Sequence, residues 1–189
     1  MSVANSSIAQ LYIAYFNRAP EPIGYDFWCD VLDNPVTLED IASDFATQPE
    51  AVAMYPLLEA RTTDSLGDFL TTVYQNLFDR DPDAAGLAFW TGVIQGGADF
   101  GTILLKIIEG ASEADLLVLE SKANVAQYWV DTASAFEGYV LNDDAIEASR
   151  DAIEAANPAA NSVQSGIEIT DAYFADAAQV ALTPVANDV

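Results

Sequence analysis

The chain has 189 residues, 51% of them hydrophobic, at a mean hydropathy of +0.16; that suffices for the core of one medium domain and is too apolar for a disordered chain. Six basic residues against thirty acidic give a formal net charge of −24, which argues against nucleic acid or an anionic membrane surface as a direct partner, because phosphates are gripped by Lys and Arg. Histidine is absent, so Ser-His and Cys-His nucleophilic systems, His-ligated zinc and histidine acid–base chemistry are excluded together.

Met1 to Ser7 carries neither the basic start nor the apolar stretch of a signal peptide. Ile8, Leu11, Tyr12, Tyr15 and Phe16 then fall at helical spacing, and Arg18-Ala-Pro ends that helix because the residue before a proline is pushed out of the α region. Pro20 or Pro22 opens the next helix, with Phe27, Trp28, Val31 and Leu32 as its expected core face. Thr37-Leu-Glu-Asp40 reads as a capping box with Asp in place of Glu. Leu70, Val73, Tyr74, Leu77 and Phe78 repeat the first pattern. Gly101 to Ile108, the most membrane-like run, carries Lys106 and is too short to span. Ser112-Glu-Ala-Asp115 is a second capping box, opening a long helix through Leu116, Leu119, Ala123, Ala126 and Trp129. After Gly138 come an acidic, alanine-rich helix over 142–156, a loop over 157–162, a short helix over 169–182 and, from Thr183, a linker towards a downstream region. Nothing alternates long enough to demand a strand.

Laid on itself at a constant offset of 62, the chain pairs Tyr12 with Tyr74, Phe16 with Phe78, Arg18 with Arg80, Pro20 with Pro82, Gly24 with Gly86, Phe27 with Phe89 and Trp28 with Trp90. The expected fold is therefore an all-α helical bundle: residues 1–62 as the first helical repeat, 63–138 as the second with its long following helix, and 139–189 as C-terminal helices and linker, in one compact domain.

Phe78-Asp-Arg-Asp-Pro-Asp-Ala-Ala-Gly-Leu-Ala-Phe-Trp90 resembles the DUF4214 repeat of bacterial surface and secreted proteins, commonly Gly-Arg-x-Pro-Asp-x-x-Gly-Leu-x-Phe-Trp. Ser121-Lys-Ala-Asn-Val-Ala-Gln-Tyr-Trp129 is similar to that family's following helix, and the resemblance extends over residues 6–155. It departs in the first copy, where Asn17, Ala19 and Glu21 stand in place of Asp79, Asp81 and Asp83. The resemblance implies a non-catalytic helical module at the head of an acidic protein exported by type I secretion, with glycine-rich, calcium-binding RTX repeats downstream. In some S-layer proteins such a region anchors the lattice to lipopolysaccharide or another surface glycan. A distant likeness to the helical linker domains of phycobilisomes points instead to a protein-only scaffold.

Several side chains carry rival readings. Asp79, Asp81 and Asp83 alternate through a turn and offer the oxygens that Ca²⁺ wants, but lack the sixth-position Gly and twelfth-position Glu of an EF-hand; capping of the next helix by Asp83 is the alternative. Arg18 and Arg80 either clamp an anionic sugar or serve as buried forks on helix-end carbonyls, and their recurrence favours the fork. Trp28 and Trp90 are expected in the core with the structural Gly24 and Gly86, leaving Tyr128, Trp129 and Tyr139 as candidate sugar-stacking residues. Cys29, the single cysteine, forms no intrachain disulfide and reads as a small apolar filler. The functional expectation is an extracellular, cell-surface anchoring module, exported without an N-terminal signal peptide, binding polysaccharide, lipopolysaccharide O-antigen or other subunits in a homo-oligomer or lattice, with calcium neutralising acidic faces. An assembly scaffold is the alternative, and a carboxylate-based glycoside hydrolase the third reading.

Overall fold

The computed structural model describes residues 3–32, 35–60, 65–157 and 162–182, and among them the secondary structure is helical without strands. The first copy comprises α1 (Val3–Phe16), α2 (Pro22–Leu32), α3 (Leu38–Phe45), α4 (Pro49–Met54) and α5 (Leu57–Ala60). The second comprises α6 (Leu66–Phe78), α7 (Ala84–Gln95), α8 (Phe100–Glu109) and the long α9 (Glu113–Ala135), and α10 (Asp143–Ala155) and α11 (Ser162–Leu182) complete the chain's helices. The helix starts are set locally. Thr37 and Asp40 close a reciprocal capping box on α3, as Ser112 and Asp115 do on α9. Asp83, Asp99 and Asn142 cap α7, α8 and α10 by accepting hydrogen bonds from backbone N–H groups of the first turn.

The two copies pack on each other through counterpart elements. Ala14 and Asn76 occupy equivalent positions 62 residues apart, and Asn76 Nδ2 donates to the Ala14 carbonyl at 3.3 Å. The counterpart helices α1 and α6 pack together, as do α3 and α8. Tyr55 completes the junction, donating its hydroxyl to the Ala14 carbonyl at 3.0 Å and accepting from Asn76 at 2.9 Å. Helix α9 then crosses back over α1, α2 and α6, and α10 and α11 pack on it and on each other. One contiguous core, from Ile8 to Phe174, runs through both copies and the C-terminal helices.

Several sequence expectations change in three dimensions. Trp28 and Trp90 are half-buried rather than central, and their neighbours Phe27 and Phe89 are 55% and 61% exposed. Helices α2 and α7 pack on the outside of the bundle, where one flank suffices for contact. Leu116, at helical spacing with the core residues of α9, is also exposed. The last helix starts at Ser162, seven residues before Ile169. Its polar first turns hide the pattern, and Gly166 lets it approach α10: a Cβ there would stand 2.6 Å from the Ala152 carbonyl oxygen. The linker expected from Thr183 lies outside the described residues.

The junction of the copies is equally tight at Gly101, where a Cβ would fall 2.5 Å from the Ser43 nitrogen and 2.7 Å from the Ala42 carbonyl carbon. Backbone cannot yield as a side-chain end can. Gly101→Ala should therefore cost about 1–3 kcal/mol in urea unfolding. Gly67→Ala, in open space within α6, should stabilise by about 0.5–1 kcal/mol.

Candidate functional site

The recurring Arg closes each copy. Helix α1 ends at Asn17 in a left-handed conformation (φ 47°) and α6 at Asp79 (φ 56°), a conformation that Asn, Asp and Gly tolerate. This accounts for the Gly that the family pattern carries at the same place. The reversal lays Arg18 over the Tyr12 and Phe16 rings at 5.3 and 5.4 Å, and Arg80 over Tyr74 and Phe78 at 5.2 and 5.9 Å. Arg18 forks onto Glu50 in the first turn of α4 through Nε and Nη2, both at 2.8 Å, and Nη1 donates to the Ala19 carbonyl and to Glu21 at 2.9 Å each. Arg80 forks in the same way onto Asp115 in the first turn of α9, at 2.7 and 2.8 Å, with Nη1 on the Asp81 carbonyl. Gly24 gives the Tyr12 hydroxyl room beside the second helix, whereas a Cβ at Gly86 would meet the capping Asp83 carboxylate more closely than the Tyr74 hydroxyl. These arginines fork onto the chain's own carboxylates rather than onto helix-end carbonyls, and only Arg18 is buried, the Arg80 side chain being 44% exposed. Burial alone would lower the Arg18 pKa, but the hydrogen bonds and charge of Glu50 and Glu21 outweigh it and the net shift is upward.

The alternating aspartates do not converge. Asp79 pairs with Lys122 Nζ at 2.5 Å, Asp81 accepts from Gln75 Nε2 at 2.8 Å, and Asp83 caps α7 by accepting from the Gly86 N–H at 2.6 Å. Among the described residues no group of three or more His, Cys, Asp or Glu is placed to hold a metal ion. Lys122, part of the Ser121–Trp129 motif but not expected there to be buried, is 1% exposed and donates to the carbonyl of Asn76 at 2.7 Å and towards that of Gln75 at 3.4 Å. It caps the negative end of α6 from across the core.

The three aromatic candidates separate by depth. Trp129 is 1% exposed; it belongs to the core, a correction to its expected place at the surface, because its side of α9 faces α11. Tyr128, one residue and about 100° round the same helix, donates to Asp171 on α11 at 2.7 Å. That bond is the main reason its pKa is raised. Tyr139, in the turn between α9 and α10, lies in a cleft of about 550 Å³ floored by Phe136, Tyr139, Tyr173 and Phe174 and edged by Glu137, Asn142, Asp144 and Asp176. The floor continues inward to Trp129, stacked on Tyr173 at 5.2 Å and tilted against Phe174 at 5.1 Å. Burial raises the pKa of Tyr139 and Tyr173, so both hydroxyls remain proton donors at neutral pH. A second cleft of about 470 Å³ shares Phe136, Tyr139 and Val140, and reaches Ile23 and Glu21 on the other flank of the turn. The motifs read from the sequence do not single out Tyr173 and Phe136, and only the packing of α11 on α9 brings them together.

The geometry gives two expected outcomes. Asp115 is held down at about 2 by its hydrogen bonds from Arg80, against burial, with further help from Ser112. A depressed folded pKa gives stability that is present above the ordinary carboxylate range and lost as pH falls. The chain should thus exceed its Asp115→Asn variant by about 1–2 kcal/mol at pH 6, a gap that closes between about pH 4 and pH 2 in chemical denaturation. Trp129→Ala should lower stability by about 3–5 kcal/mol in the same assay, as removal of a buried ring does.

Among the described residues no helix is long and apolar enough to cross a membrane. No curated protein and no solved structure matches this chain. The family model described as domain of unknown function (DUF4214) matches residues 59–116, which span α6, α7, α8 and the start of α9 with the Arg80–Asp115 fork. Residues 59–116, the heart of the second repeat, are a DUF4214 domain.

Proposed function

We propose that this chain is a non-catalytic binding module that fixes an exported bacterial surface protein to a cell-surface glycan, with the cleft at the α9–α10 turn as its sugar site. The observation that carries the proposal is the aromatic floor of that cleft, where Tyr139 and Tyr173 offer half-buried rings beside Asn142 and three carboxylates. Rings with a polar tip next to hydrogen-bonding side chains suit the apolar face and hydroxyl edge of a pyranose. The cleft lining contains Glu137, Asp144 and Asp176 and no Lys or Arg. It therefore suits an uncharged or amine-bearing saccharide, such as a neutral O-antigen unit, and disfavours uronates and phosphosugars unless calcium bridges them. The exported setting rests on the DUF4214 resemblance and on the acidity of the chain. The non-catalytic role rests on the same resemblance.

The test is calorimetric titration with purified surface polysaccharide, neutral and acidic, with and without millimolar Ca²⁺. Neutral polysaccharide should bind, Tyr139→Ala and Tyr173→Ala should each weaken it about tenfold, and Tyr128→Ala should leave it unchanged. Wild-type affinity in both cleft variants would remove the site from consideration, and no binding of any polysaccharide would leave the scaffold reading in its place.

A further inference from the structure

Helices α2 and α7 hold the same place in the two copies, yet their outward faces differ. On α2 the outward positions include Asp26 and Asp30, both exposed; the equivalent positions on α7 are Ala88 and Gly92, also exposed. One helix has a solvated face and its counterpart is stripped of charge. From Ala84 to Ala98 there is no charged residue, in a chain with thirty acidic ones. Nothing on α7 is buried, whereas α2 buries Tyr25, whose hydroxyl donates to Gln127 of α9 at 2.5 Å. Phe89 stands 61% exposed on this neutral face. The unequal lengths of two counterpart helices explain the missing cover. Helix α9 runs from the Arg80 fork across α1 and α2. Its counterpart α4, which carries the Arg18 fork, has only six residues, too few to cross to α6 and α7 in the same way.

We propose that α7 is the face through which two copies of this chain associate, α7 against α7 about a two-fold axis. In such a contact every surface meets its own image, so a charged face repels itself and a neutral one does not. Two molecules at −24 meeting elsewhere would bring carboxylates together, whereas Ala88 and Gly92 let the helices approach with Phe89 packed alongside. A basic protein partner would be drawn to the acidic faces rather than to this one.

The experiment compares the chain with Ala88→Asp/Gly92→Asp, which restores the residues of the first copy, by sedimentation over a concentration series. The wild type should dimerise, and the double variant should show at least a tenfold higher dissociation constant with unchanged thermal melting of the monomer, because both positions are solvent-exposed. Phosphatidylcholine vesicles are run in parallel. A wild type that stays monomeric at every concentration, with or without binding to the vesicles, overturns the proposal, as does a variant that dimerises as well as the wild type.

Discussion

A guanidinium taken out of water must find partners for a fork of N–H groups that cannot lose their charge. Arg18, 3% exposed, meets that demand by drawing three chain segments onto one point: the rings of α1 beneath it, the carbonyl and carboxylate of the following turn beside it, and Glu50 at the start of α4 opposite. Arg80 makes the same set of bonds in the second copy with Asp115, although its side chain stays 44% exposed. Each fork fixes where the fourth helix of its copy begins and in which direction it leaves, and the direction of α9 decides where α10 and α11 can pack. A carboxylate in a first helical turn also complements the helix dipole, so fork and helix start reinforce each other.

The two forks lead to unequal outcomes because the helices they launch differ in length. After Glu50 the chain makes two short helices and returns to build the second copy. After Asp115 it runs on as 23 residues of α9. The correspondence of the two copies, kept at the centre where Asn76 meets Ala14, is therefore broken at the periphery. The broken part makes the C-terminal three-helix layer, the aromatic cleft at its turn, and the uncovered α7. Both surfaces that invite a partner arise from the asymmetry, while the shared core holds them in place.

Few cations serve this chain, and three of the six, Arg18, Arg80 and Lys122, are committed to internal forks and caps. Among the described residues the exposed surface is rich in carboxylates, and it includes two places of different character: the aromatic-floored cleft, whose rim remains acidic, and α7, which is neutral. An acidic exterior keeps molecules apart in solution and directs contact to the few places where approach carries no repulsion.

The sequence by itself determined the helical class, the 62-residue repeat, the two Asp-containing capping boxes and the structural use of the recurring Arg, because each is written in local spacing or in an identity repeated at a fixed offset. It also placed Tyr139 among the aromatic candidates. It could not tell Trp129 from Tyr128: the two are adjacent in the chain, and only the packing of α11 on one side of α9 buries the first and leaves the second at the edge. The alternating aspartates looked alike in sequence, and the fold gave each a different partner, because Lys122, Gln75 and the Gly86 N–H reach the turn from three directions. The burial of Lys122, the cleft assembled from Phe136, Tyr139 and Tyr173, and the bareness of α7 were decided by tertiary structure alone. Each depends on which face of one helix meets another, and that is set by the whole packed arrangement of the chain rather than by the pattern of any single segment.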